Sequence, residues 1–143
     1  GGGSSNTINE PETPYASQYP FNKVKETEGG HIQEFDDTPG AERIHWYHRS
    51  GTFEEIHPDG STVLKVVGKK YEVIIDDKNL HVKGNLNIDV DKEANILING
   101  DANLKVNGSV DFVADGNIDI STNRNLNLSG KTVNITGKPI NLN

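Results

Sequence analysis

From Val82 to Ser129 the chain repeats every eight residues, and no other feature limits its fold so tightly. Aligned by eights, the first position holds Val82, Val90, Ile98, Val106, Ala114 and Thr122. The fifth holds Leu86, Ala94, Ala102, Val110, Ile118 and Leu126, and the seventh Ile88, Ile96, Leu104, Phe112, Ile120 and Leu128. The third holds Gly84, Lys92, Gly100, Gly108, Gly116 and Arg124. Even positions are polar in 22 of 24 cases, Leu97 and Val113 being the exceptions, and odd positions are apolar or glycine in 21 of 24. Alternation with a period of two means β-strand, one face covered and the other wet. Glycine at one fixed place in each octad means a recurring bend or a close backbone approach.

Geometry then sets the number of chains. Eight residues reach about 26 Å when extended, too short for one chain to coil around a filled interior. A lone ribbon of these octads would leave its apolar face wet and its strand edges unpaired. Identical chains winding about a common axis remove both problems, and three is the smallest number that encloses a core. The fold expected is all-β: an intertwined homotrimeric β-helix, a triangular prism, with a small antiparallel β shoulder at its N-terminal end. The expected trimer core is Val82, Leu86, Ile88, Val90, Ile96, Ile98, Leu104, Val106, Val110, Phe112, Ile118, Ile120, Leu126 and Leu128, then Val133 and Ile135. Gly84, Gly100, Gly108 and Gly116 are its expected corners. An open two-sided meander is the rival, but it gives the glycine spacing no purpose.

Composition agrees with a shared core. The 143 residues are only 32% hydrophobic, with 15 glycines and 17 asparagines, well under the usual apolar share of a globular domain. With no cysteine there is no disulfide framework, thiolate zinc site or cysteine nucleophile. A net charge of -7 opposes non-specific nucleic-acid binding. Beyond residue 78 the repeat is nearly neutral, with seven acids against six bases.

Three regions are expected. Residues 1–20, opening Gly1-Gly2-Gly3-Ser4-Ser5 and carrying Pro11, Pro14 and Pro20, read as a flexible linker or a remnant of cloning. Residues 21–78 read as a β-rich shoulder or collar: alternating runs over 31–35, 43–47, 52–56 and 71–75 are punctuated by Pro39-Gly40, Ser50-Gly51 and Asp59-Gly60. Residues 79–143 read as the octad helix. From about residue 129 the pairs Leu126/Leu128, Val133/Ile135 and Ile140/Leu142 recur every seven residues, an altered repeat suited to a cap or docking face.

The chain also resembles a known family. The run from Gly30-His31-Ile32-Gln33-Glu34-Phe35-Asp36-Asp37 through Thr38-Pro39-Gly40-Ala41-Glu42-Arg43-Ile44, then His48-Arg49-Ser50-Gly51-Thr52 and the valine–glycine octads, looks like the central spike of contractile-tail phage baseplates. It is similar as well to the valine-glycine repeat spike of type VI secretion, but Tyr19-Pro20-Phe21-Asn22-Lys23 favours the phage version. The resemblance spans residues 15–143. It implies a structural cell-puncturing needle of the virion tail baseplate, held below an oligonucleotide/oligosaccharide-binding-type barrel and driven through the host outer membrane as the sheath contracts. It further implies hub proteins at the N-terminal end and a small conical tip protein of the proline-alanine-alanine-arginine repeat class at the other. The tip surface here would be Pro139, Ile140, Asn141, Leu142 and Asn143. Some relatives end in a His-x-His iron site, but no histidine follows His81, so neither metal nor cofactor is expected. Nothing resembles the lysozyme-like domain of some spikes, so no enzymatic activity is expected.

The remaining candidates have plainer readings. His45 and His48 sit at opposite strand parities and are poor partners for one metal, and with His31 and His57 they read as surface or interface residues. Glu34, Asp36 and Asp37 read as servants of the Thr38-Pro39-Gly40 turn rather than an acid/base pair. Trp46, Tyr47 and Phe53 read as shoulder core. Lys92 and Arg124 break the glycine position; either those corners point outward, or an ion or water plug sits on the axis beside them. A glycan-binding β-solenoid fibre, the rival function, needs outer aromatic platforms, and the repeat's one aromatic, Phe112, is at an inward position.

Overall fold

A computed structural model describes residues 8–142, in two units divided between Asn95 and Ile96. The described residues contain no helix and one antiparallel meander: β1 Asn22–Glu26, β2 Ile32–Asp36, β3 Arg43–Tyr47, β4 Phe53–Ile56 and β5 Thr62–Lys65, paired in chain order. Asp36 stands opposite Arg43, Glu34 opposite His45, and His45 opposite Glu55.

Three of the four connections share one design. His48 N donates to Thr52 O at 2.8 Å and Gly51 N to His48 O at 2.9 Å, and the same pair of bonds recurs at Thr27/His31 and at His57/Ser61. Each loop is a turn closed by a glycine with positive φ: Gly30 at 83°, Gly51 at 98° and Gly60 at 85°. That conformation is costly for any residue with a Cβ, and so the Ser-Gly and Asp-Gly pairs place the hairpins. Side chains reinforce the loops, as where Ser61 N donates to Asp59 Oδ1 at 2.9 Å.

The strands match the sequence expectation at β2, β3 and β4. They differ at 71–75, which pairs with nothing, and at β1 and β5, two short edge strands that the alternation did not single out. Trp46 and Phe35 lie on the uncovered face of the sheet, edge to face with centroids 6.4 Å apart, so in one chain Trp46 is half exposed rather than core. Residues 8–18, inside the stretch expected as a linker, lie against the other face through contacts set out below; residues 1–7 fall outside the described part.

Beyond β5 the backbone changes character. In the first unit it bends at Val67-Gly68, Ile75-Asp76, Lys83-Gly84 and Asp91-Lys92. In the second it bends at Asn99-Gly100, Asn107-Gly108, Asp115-Gly116 and Asn123-Arg124, then at Lys131 and at Lys138-Pro139. The eight-residue beat therefore begins two octads before the apolar pattern is complete. Among the described residues no backbone-to-backbone hydrogen bond is made past Ser61 outside the strands.

The sheet's turns supply a direct test. Gly51→Ala forces an alanine into the left-handed region with its Cβ 3.6 Å from Val67 Cγ1, and a loss of about 1–2 kcal/mol in denaturant unfolding is expected. Gly100 has no positive φ, and a Cβ added there meets nothing within 4 Å apart from its two chain neighbours. Any destabilisation by Gly100→Ala must therefore come from another chain.

Candidate functional site

Two features of the described residues carry chemistry or assembly, one in each kind of backbone. The first is a buried charge cluster on the covered face of the sheet. Side chains of one parity share a face, so Glu34 and Asp36 of β2, Arg43 and His45 of β3, and Glu55 of β4 converge. Among the described residues no hydrophobic side chain is buried, whereas Glu34, Asp36, Thr38, Arg43 and Glu55 all are. Arg43 Nη1 donates to Glu55 Oε2 at 2.9 Å, and Nη2 donates to Glu34 and lies 3.4 Å from Asp36 Oδ2. Arg43 Nε is buried without an acceptor.

Glu55 is the hub. Its Oε1 accepts from Thr13 Oγ1 at 2.9 Å and lies 2.8 Å from His57 Nε2. Its Oε2 lies 2.8 Å from His45 Nδ1, though off the line of a hydrogen bond. Three carboxylates face one guanidinium, and the His45 and His57 rings lie beside Glu55. Residues 10–18 close this face as a strap. Tyr15 sits over Arg43 with the guanidinium carbon 4.6 Å from the ring centroid. Ser17 donates to Asp36, Gln18 N to Thr38 Oγ1 at 3.0 Å, and Lys65 Nζ to Glu10 Oε2 at 2.9 Å. Between strap and sheet runs a groove of about 690 Å³ that Tyr47, Phe53 and Val63 also line.

Burial alone pushes the Asp36 carboxyl up, but the Ser17 and Thr38 hydroxyls, the Thr38 amide and the Arg43 charge outweigh it and hold it below the usual range. Glu55 is likewise raised by burial and lowered overall by Thr13, Arg43, His45 and His57. Both are held ionised by their partners.

The sequence reading missed this cluster. It assigned Glu34 and Asp36 to a turn, and only Asp36 does so, through Oδ1 accepting from Thr38 N at 3.1 Å. A usable signal was present: charged residues of one parity recur in three successive runs, Glu34/Asp36, Arg43/His45 and Glu55/His57. His48 and His31, by contrast, pair with each other outside the cluster, ring centroids 4.6 Å apart.

The second feature is the apolar row of the repeat, which nothing in its own chain covers. Val82, Val90, Ile98, Val106, Leu86, Val110, Ile118 and Leu126 are each about half exposed, and Ile88, Ile96, Leu104, Phe112, Ile120 and Leu128 more so. Val133 and Ile135 are similarly bare. Leu104, at 76%, is typical of the seventh position and Val106, at 45%, of the first. Gly84, Gly100, Gly108 and Gly116 lie at bends, as do Lys92 and Arg124, whose side chains touch no acid. Pro139 lies in the last bend, Ile140, Asn141 and Leu142 follow it, and Asn143 is outside the described residues. The chain exposes 14139 Å² in all, where a folded monomer of its 15.6 kDa exposes about 7,300 Å².

Similarity to known proteins agrees with the resemblance read from residues 30–52 and the octads. No family model matches the chain. Over 76 residues, 53% of its length, it is 63% identical to protein Gp5 of Vibrio phage KVP40. Over a stretch of the same length it is 46% identical to the pre-baseplate central spike protein Gp5 of Enterobacteria phage T4. The chain is thus homologous to phage Gp5 proteins, but the matched stretch spans only 18% and 13% of those two relatives.

The strap's dependence on pH follows from the signs above. A carboxyl held below its ordinary value stabilises the folded state above the ordinary range and loses that contribution as pH falls through the lowered value. Hydrogen exchange of the Gln18 amide, which ties the strap to Thr38 Oγ1, is expected to stay slow from neutral to mildly acidic pH, relative to its intrinsic rate, and to speed up only in strong acid. Release beginning near neutrality contradicts this assignment.

Proposed function

We propose that the chain is the repeat-bearing part of a phage tail baseplate central spike, a structural needle that pierces the host outer membrane and has no enzymatic role. It rests on the homology to Gp5, and one observation about the chain supports the mechanism. Its octads bend in step, yet every apolar side chain in them is exposed and, among the described residues, none of their backbone amides bonds to another backbone group. Such a segment needs partners of the same period, and identical chains are the simplest supply.

In this reading three chains wind into a triangular prism. The first, fifth and seventh positions point to the axis and the even positions to water. Every strand edge is then paired with a neighbouring chain, so the rod cannot be peeled strand by strand. Burial of the surplus of roughly 7,000 Å² per chain supplies the cohesion that a single chain lacks. A rod that is polar through asparagine rather than charge stays wetted as it crosses lipid and transmits force from the contracting sheath.

The ends have separate roles. The sheet and its strap form the collar toward the baseplate hub, and Pro139, Ile140, Asn141, Leu142 and Asn143 form the seat of a small conical tip protein. At Lys92 and Arg124 the corner turns outward or an axial ion or water plug compensates three like charges. The reading places the chain in the virion and, during infection, in the host envelope. Neither nucleic acid nor a cofactor enters it.

Light scattering tests the reading. The expected mass is three times 15.6 kDa, with an oligomer that resists detergent until heated. A stable monomer contradicts it.

A further inference from the structure

One row of the repeat is more uniform than inward packing explains. Between the apolar fifth and seventh positions, the sixth is always an amide or its acid: Asn87, Asn95, Asn103, Asp111, Asp119 and Asn127. Where the step shortens to seven, Asn134 and Asn141 keep the same place between Val133 and Ile135 and between Ile140 and Leu142. The fourth position, equally polar, has no such rule and runs Asn85, Glu93, Asp101, Ser109, Asn117, Asn125. In the second unit Asn103 stands midway between the bends at Asn99-Gly100 and Asn107-Gly108, and Asp111, Asp119 and Asn127 hold the same station in their octads. All are exposed, at the parity opposite to the apolar row.

We propose that this row is a contact between copies of the chain: a ladder of side-chain amides down the middle of each outer face, its successive rungs supplied by different chains. The proposal deepens the trimeric reading above and rests on it. Neighbouring strands in a sheet lie about 4.8 Å apart. An asparagine side chain carries both donors and an acceptor, so amides stacked at that spacing bond to one another, as asparagine ladders do in stacked sheets. On one face of a three-chain winding, the octad above and below any given octad belongs to another copy. Each rung therefore forms only when the three chains share one register. Slippage is the failure to which a short, regular repeat is most exposed. The ladder carries one irregularity of its own.

That irregularity is the acidic pair. Asp111 and Asp119 occupy adjacent rungs. Ionised carboxylates accept but do not donate, and like charges on facing strands repel. The ladder has one weak step there, and salt screens it.

The test uses the whole 143-residue chain and reads the temperature at which the detergent-resistant oligomer comes apart. Asn103→Ala and Asn127→Ala are expected to lower it by several degrees each, since every substitution is repeated in three chains. Asn117→Ala and Asn125→Ala, equally exposed but in the fourth position, are expected to leave it nearly unchanged. The double variant Asp111→Asn/Asp119→Asn is expected to raise it, and to raise it more at low salt than at high. Equal effects in the two rows, in an intact trimer, overturn the ladder and leave the trimer standing. A fall on replacing the two acids also overturns it, because it would mean that the pair is bridged by a cation. A monomeric wild-type chain overturns the trimeric reading and the ladder with it.

Discussion

A β-strand has two edges, and each must find a partner or water for its amides and carbonyls. Past β5 the described residues make no backbone-to-backbone pair within the chain, and Val67 N and Arg124 N bond instead to the Thr52 and Thr122 hydroxyls. The chain bends every eight residues as far as Arg124 and, among the described residues, pairs with no other strand. The same beat aligns valine, leucine and isoleucine on one side with nothing of their own chain against them. Backbone pairing and apolar burial are both deferred, and identical partners can resolve both at once. In the proposed trimer the low hydrophobic content, the glycines at the bends and the asparagine-rich even positions follow from that single deferral.

The sheet that precedes the repeat obeys the opposite logic. Its five strands pair with one another within one chain, only the outer edges of β1 and β5 staying open, and its covered face is closed by charge. Arg43 gathers Glu34, Asp36 and Glu55, and the strap adds Thr13, Tyr15 and Ser17. Ion pairs out of water gain little net stability over apolar packing, but removing one member leaves an uncompensated charge. The cluster therefore fixes the strap's position more than it adds to stability. In the proposed needle such a fixed sheet would serve as the collar that sets the start of the register, and Thr62–Lys65 ends only one residue before the octad beat begins.

Much of this was legible in the sequence, for reasons that differ by element. The hairpins at β2, β3 and β4 were readable because glycines with positive φ punctuate them. β1 and β5 were not, since Asn22–Glu26 has Val24 as its one apolar residue and in Thr62–Lys65 the apolar pair Val63 and Leu64 is adjacent rather than alternating. The run at 71–75 looked like a strand because Tyr71, Val73 and Ile75 alternate, but the chain bends at Ile75-Asp76. The octad beat was dated too late because Lys70, Glu72 and Lys78 occupy places that are apolar from Val82 on. The Arg43 cluster was missed because it depends on register: only once Asp36 faces Arg43 and His45 faces Glu55 do scattered charges become one site. Residues that act through neighbours in sequence were visible, whereas those that act through neighbours in space needed the fold.

The central claim is that the repeat's backbone is paired between chains, and hydrogen exchange of its amides measures that most directly. In the assembled protein the account predicts strong protection for the amides of residues 82–135, lost together when the oligomer is dissociated. Exchange across that stretch at the rate of an unstructured chain, with the oligomer intact, would contradict it.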